Sequence, residues 1–255
     1  MSFGRWIGGA VGWAVGGPIG GLLGFAFGAI VDNSTTSTDK KRVTEGYNPR
    51  GDQRYESYRH HTRPGDFAGA LLVLSAAVMK ADGKHLKSEL DFIRDFFTRQ
   101  FGAAAAAEQI GLMRELLNKD IPVEQVCEQI RYYMEHPMRL QLLHYLFGIA
   151  KSDGNVDKTE VQMIERIATH LGISKADYES IRAMFYKDAE SAFKILEIDQ
   201  NATDEEVKKA YRKMAMKYHP DKVRELGPDY QKAAQEKFVK VQEAYERIKK
   251  DRGIK

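Results

Sequence analysis

From Trp6 to Val31 the chain runs for 26 residues without a charged side chain, and Gly8, Gly12, Gly16, Gly20, Gly24 and Gly28 recur along it at every fourth position. Water is a poor home for such a run, because each glycine inside a helix costs about 1 kcal/mol against alanine. A bilayer suits it. At about 1.5 Å per residue the run exceeds the roughly 30 Å of a hydrocarbon core. Glycines four apart form a groove along one side of a helix, and a second backbone can approach closely there. The pattern predicts a transmembrane segment within residues 1–31, with the six glycines as a packing face, lipid as its surroundings and a homodimer through the helix. Two alternatives stay open. Ala26 and Gly28 are small enough to precede a signal-peptide cut, although the run is long and glycine-rich rather than leucine-rich. Pro18 offers a bend at which two short helices would make a hairpin. Lys40, Lys41 and Arg42 follow the run and only Arg5 precedes it, which places the carboxyl-terminal side in the cytoplasm.

Residues 32–64 are polar, and their few large apolar groups (Val43, Tyr47, Tyr55, Tyr58) cannot build a core. They read as a flexible linker. From residue 65 onward the apolar periodicity is helical and no strand pattern emerges, so the fold class is all-α. Seven helices are expected over residues 65–186: from Phe67, Leu86, Glu108, Val123, Met138, Lys158 and Lys175, with Gly172 as a stop signal. The single cysteine, Cys127, excludes a disulfide framework and a cysteine-based zinc site. The net charge of +3 gives no general argument for nucleic acid.

The helical body repeats one phrase. Lys80-Ala81-Asp82-Gly83 leads to Glu89, Lys151-Ser152-Asp153-Gly154 leads to Glu160, and the copies lie 71 residues apart. Asp and Gly favour turns, and an acidic residue suits the first turn of a helix. Helix punctuation therefore explains both copies. The competing explanation pools Asp82, Glu89, Asp153, Asp157 and Glu160 around a divalent cation. An EF-hand is excluded, since aligning Gly154 with its turn glycine puts Ile149 and Lys151 where calcium ligands belong.

The segment from residue 190 to 255 carries the sharpest signals. Ala192 to Leu196 makes a short apolar helix. Thr203 with Glu206 is a capping box, and it opens a helix with Val207, Ala210, Tyr211, Met214 and Tyr218 on one side. On the other side Lys208, Lys209, Arg212, Lys213 and Lys217 form two rows of cations. His219-Pro220-Asp221 ends the helix, because proline pushes its predecessor out of the helical region. After a loop from Lys222 to Tyr230, Ala234, Phe238, Val241, Tyr245 and Ile248 mark the seam of a last helix. The tyrosines of the basic helix fall on its packing side, which argues against a nucleic-acid surface. No nucleophile–base pair or phosphate-binding loop is present, so an enzyme is not expected and no resident cofactor is required.

These last residues resemble a J domain: Phe193 with Leu196, Ala210-Tyr211-Arg212-Lys213, the His-Pro-Asp tip, and Phe238 with Glu243-Ala244-Tyr245-Glu246. Phe193 stands where that family usually has tyrosine, and Glu197 where it usually has glycine; both are expected outside the contact surface. The repeated Lys-x-Asp-Gly phrase resembles TerB-like domains, for which a metal-linked acidic cluster has been proposed. The order of membrane segment, TerB-like helices and terminal J domain is similar to the DjlA family of bacterial inner-membrane J proteins. The resemblance implies a membrane-anchored co-chaperone that stimulates the ATPase of a DnaK-type Hsp70. Its contact residues would be His219, Pro220 and Asp221 with Lys208, Lys209, Arg212, Lys213 and Lys217. It also implies a single span in the inner membrane with both helical domains in the cytoplasm. The alternative is a TerB-like metal- or stress-sensing module that uses the J domain only to recruit chaperone.

Overall fold

The computed structural model describes residues 10, 17–26, 64–83, 87–154, 157–186, 190–226 and 228–253. Among them there is no strand, in keeping with the all-α expectation. Gly8, Gly12, Gly16 and Gly28, most of the expected transmembrane segment and nearly all of the linker lie outside the described residues.

Residues 17–26 form a helix, α1, which contains Gly20 and Gly24. These ten described residues span about 15 Å at the usual rise. No helix among the described residues is long and apolar enough to cross a membrane. The stretch lies against the helical body instead of standing clear of it. The Ile19 amide donates to Gln129 Oε1 at 3.0 Å, and the Lys119 ammonium sits 4.1 Å from the centre of the Phe25 ring. Gly69 permits the contact, since a Cβ there would stand 3.0 Å from Leu23 Cδ1.

The body is built around α2 (Pro64–Met79), whose residues from Ala70 to Met79 are all buried. A helix apolar on every side must be enclosed by others, and α3 (Lys87–Phe101), α4 (Ala103–Leu117), α5 (Val123–Tyr133), α6 (His136–Ala150), α7 (Lys158–His170) and α8 (Lys175–Phe185) complete the body around it. The seven helices expected over this region are thus present. The third starts at Ala103 rather than Glu108, because Ala103 to Ala107 are the best helix formers available. Phe147 is stacked on Phe185 with centroids 5.6 Å apart and meets Tyr178 at 5.7 Å, joining α6 to α8. Cys127 is buried in the core, and burial pushes its thiol up to about 12, so it is unreactive.

The carboxyl-terminal unit consists of α9 (Ser191–Ile195), α10 (Asp204–Lys217), a 3-10 turn (Pro220–Leu226) and α11 (Pro228–Arg252). Val207, Ala210 and Met214 of α10 are buried, as are Ala234, Val241, Ala244 and Ile248 of α11. Tyr211 stacks on Tyr245 at 4.3 Å. The end of α11 is tied back by Arg252, which donates to the carbonyls of Gln200 and Ala202 at 2.5 Å each. The expected loop over Lys222–Tyr230 is largely replaced by the 3-10 turn and an early start of α11 at Pro228. Proline suits a first helical position, where its missing N–H is not needed.

Candidate functional site

The basic helix starts where the capping box predicts. Thr203 Oγ1 accepts from the Glu206 amide at 3.3 Å, and Glu206 Oε2 accepts from the Thr203 amide at 2.7 Å. With that start fixed, the 3.6-residue period turns Lys208, Lys209, Arg212 and Lys213 to solvent, and all four are exposed. Tyr218 closes the helix through its amide to the Met214 carbonyl at 3.0 Å. Directly beyond it the His219 carbonyl accepts from the Lys222 amide at 3.1 Å, and the Asp221 amide donates to His219 Nδ1 at 3.3 Å. The side chains of His219 and Asp221 are 52% and 79% exposed. The imidazole rests edge-on against Phe238 of α11, with centroids 6.3 Å apart. A small polar tip is held rigidly at the end of a positively charged rod.

Lys217 is different from the other four cations. Its side chain is only 18% exposed, and its ammonium pairs with both Asp177 of α8 and Glu197. Glu197 also reaches Lys213 at 3.2 Å. The structure places the Glu197 carboxylate against the basic row, where it gathers two of its cations. Its backbone has φ +57°, a left-handed conformation that glycine adopts at no steric cost. A glycine is common at such a position for that reason, and here the two ion pairs offset the strain. Asp177 also faces His136 Nε2 at 3.4 Å and accepts from Ser174 Oγ at 2.7 Å. Burial alone would raise its carboxyl, but hydrogen bonds from Lys217 and Ser174 outweigh it and hold the group below the ordinary aspartate range.

A second lysine was not singled out by the sequence. Lys237 of α11 is 0% exposed and donates to Gln141 Oε1 of α6. Burial pushes it well below the ordinary lysine range, and its presence beside the enclosed imidazole of His144 adds to the burial that lowers His144. Lys237 stands three residues after Ala234 and four before Val241, within the apolar stripe. That spacing was the available signal, and its charge concealed it.

The two acidic turns meet as the internal repeat implies. Gly83 and Gly154 both take positive φ, at +73° and +87°. Glu89 and Glu160 are buried side by side. Glu160 is pushed up to about 8, first by burial and then by its hydrogen bond to Glu89 and that group's charge, with Asp82 adding a smaller share. Asp157 caps α7: its side chain accepts from the Thr159 amide at 2.7 Å, and Glu160 completes the capping box. Asp153 and Asp157 are exposed. Among the described residues no three side chains of metal-ligating type stand together. Two carboxyl groups this close disfavour each other's ionisation.

Three family models match in the order of the structural units. The DjlA co-chaperone transmembrane domain covers residues 1–45, the tellurite resistance protein TerB residues 68–183, and the DnaJ domain residues 191–253. The chain belongs to the DjlA-like co-chaperones. Co-chaperone protein DjlA of Vibrio vulnificus strain CMCP6 is 29% identical over 236 residues, which cover 76% of this chain and 80% of that protein. The Vibrio cholerae counterpart is 27% identical over 234 residues with the same coverage. Over the carboxyl-terminal unit, the chaperone protein DnaJ of Thermoplasma acidophilum is 52% identical across 58 residues, 23% of this chain and 15% of that protein. No solved structure matches the chain significantly. The DjlA-like chain is accordingly a membrane-anchored J-domain co-chaperone that works with an Hsp70, and its tip and basic helix lie within the J domain.

Proposed function

We propose that His219, Pro220 and Asp221, together with Lys208, Lys209, Arg212, Lys213 and Lys217, are the surface through which this co-chaperone engages and stimulates a DnaK-type Hsp70. The observation that carries the reading is the exposed His-Pro-Asp tip at the end of an exposed basic row. Clustered cations accelerate encounter with an acidic partner and fix its orientation more than they add affinity. Changing Lys208, Lys209, Arg212 and Lys213 together to glutamate should slow association with Hsp70 about tenfold or more at low salt. Added salt should then hasten rather than weaken the encounter. An association rate equal to that of the wild type would remove the basic row from the interface. Metal sensing by the TerB-like bundle has less support, because among the described residues no three side chains of metal-ligating type stand together.

Once residues 17–26 leave the face of the bundle on which they lie here, the anchor is a single span in the inner membrane, with the two helical domains in the cytoplasm, and it pairs through its glycine face. Lys40, Lys41 and Arg42 beyond the uncharged run support the orientation, and the four-residue glycine spacing supports the pairing. Protease added outside intact spheroplasts should leave the J domain whole, and Gly16→Ile with Gly20→Ile should lower the cross-linked dimer fraction. Cleavage of the J domain would reverse the orientation, and an unchanged dimer fraction would remove the glycine interface.

A further inference from the structure

We infer that the TerB-like bundle acts as an intramolecular clamp on the J domain, withholding the end of the docking surface from Hsp70 until the two domains part. This rests on the reading of Lys217 as one of the cations that meet the chaperone.

Two contacts close the clamp, both beside the tip. Asp177 at the start of α8 takes the Lys217 ammonium, the cation of the basic row nearest His219. Gln141 of α6 takes the buried ammonium of Lys237, which projects from α11. Between them lies the Tyr218 ring, buried, with Lys217 Nζ and Lys237 Nζ at 5.9 and 5.7 Å from its centroid. Val223 of the 3-10 turn is buried as well, so both sides of the tip are anchored while His219 and Asp221 project. The bundle thus supplies a carboxylate to a lysine whose partner in the chaperone complex would also be acidic. Held by Asp177 and Glu197 together, that ammonium is turned towards the bundle rather than towards a third carboxylate. Lys208, Lys209 and Arg212 remain open for a first encounter, but full seating around Lys217 and Tyr218 requires the α6 and α8 contacts to break.

Energetics favour a switch over a permanent weld. Lys217 and Lys237 are charged or polar groups drawn out of water, and the desolvation they suffer offsets much of what their contacts return. These two polar contacts therefore add little net stability to the closed state, and a competing acidic partner can displace them. The apparent affinity for Hsp70 is then reduced by the fraction of molecules that stand open.

The test uses the full-length chain in lipid nanodiscs with purified DnaK-type Hsp70. Asp177→Asn removes the bundle's carboxylate, and Gln141→Arg sets a guanidinium against Lys237. Both residues are outside the J domain. Each variant should lower the concentration needed for half-maximal ATPase stimulation by about five- to tenfold, and each should speed hydrogen exchange at the amides of Tyr218 and Val223. Asp177 also helps cap α8, so Gln141→Arg on α6 provides an independent opening should the first variant disturb folding. Faster exchange with unchanged half-saturation would overturn the inference, because the clamp would then not compete with the chaperone. Unchanged exchange in a folded variant would overturn it too, because no clamp would have been released. Absence of stimulation by the wild type and every variant would instead defeat the Hsp70 reading, and exchange alone would then decide whether the domains are clamped.

Discussion

His219→Gln should abolish stimulation of Hsp70 ATP turnover and leave the fold untouched. The side chain is half exposed and rests against Phe238. Its Nδ1 accepts the Asp221 amide, and the amide oxygen of glutamine can accept the same hydrogen bond. Substitutions at such exposed positions usually change stability by less than about 0.5 kcal/mol. The buried seam between α10 and α11 lies elsewhere, on Val207, Ala210, Met214, Val241 and Ile248. Loss of stimulation with unaltered helicity and melting temperature would therefore assign a docking role to the tip. Stimulation at the wild-type level would sink the proposed interface, since the basic row alone offers orientation but no specific contact.

What the sequence made legible were features with short-range causes. A capping box, a 3.6-residue apolar stripe and a proline after His219 fix the start, the inner side and the end of α10, and all three are seen. The run from Leu71 to Val78, apolar but for Ser75, marked a helix with no solvent face, and α2 is the centre of the bundle. The repeated Asp-Gly turns placed Glu89 and Glu160 at equivalent positions, which is why they meet. Contacts between domains were not legible. Lys217 belongs to the same helical row as Lys213, and nothing within α10 distinguishes them. The difference lies in Asp177, forty residues earlier in the chain. Glu197 departed from a family glycine, but periodicity could not show that its carboxylate would return to the next helix. The amino-terminal run is a related case. Its uncharged side chains seek any apolar surroundings, and in residues 17–26 they are met by Gly69 and its neighbours on the bundle. An apolar pattern specifies burial without naming the material that provides it.

The second large effect concerns pH and the buried carboxyl pair. Glu160 has an ordinary value of 4.5 and stands at about 8 in the folded chain. Between those limits the native state keeps a proton that the unfolded chain has released, so this group's contribution is fully present below about pH 4.5 and is lost as pH rises through about 8. Each pH unit in that window should remove roughly 1.4 kcal/mol. Two other buried groups slope the opposite way. His144 and Lys237 are both lowered on folding, so the unfolded chain binds more protons at those sites and stability there rises with pH. The wild-type profile superposes all three, so the contribution of Glu160 is read from the difference between wild type and a variant that cannot ionise there. Glu160→Gln keeps an amide oxygen for the Asp157 N–H and offers an amide hydrogen to Glu89, but it cannot ionise. Its stability relative to the wild type should thus climb with pH, by on the order of 3 kcal/mol between about pH 5.5 and about pH 8. Urea unfolding of both chains across that range measures the difference directly. A difference that does not vary with pH would mean that Glu160 is ionised throughout, and the raised carboxyl between the two turns would have to be abandoned.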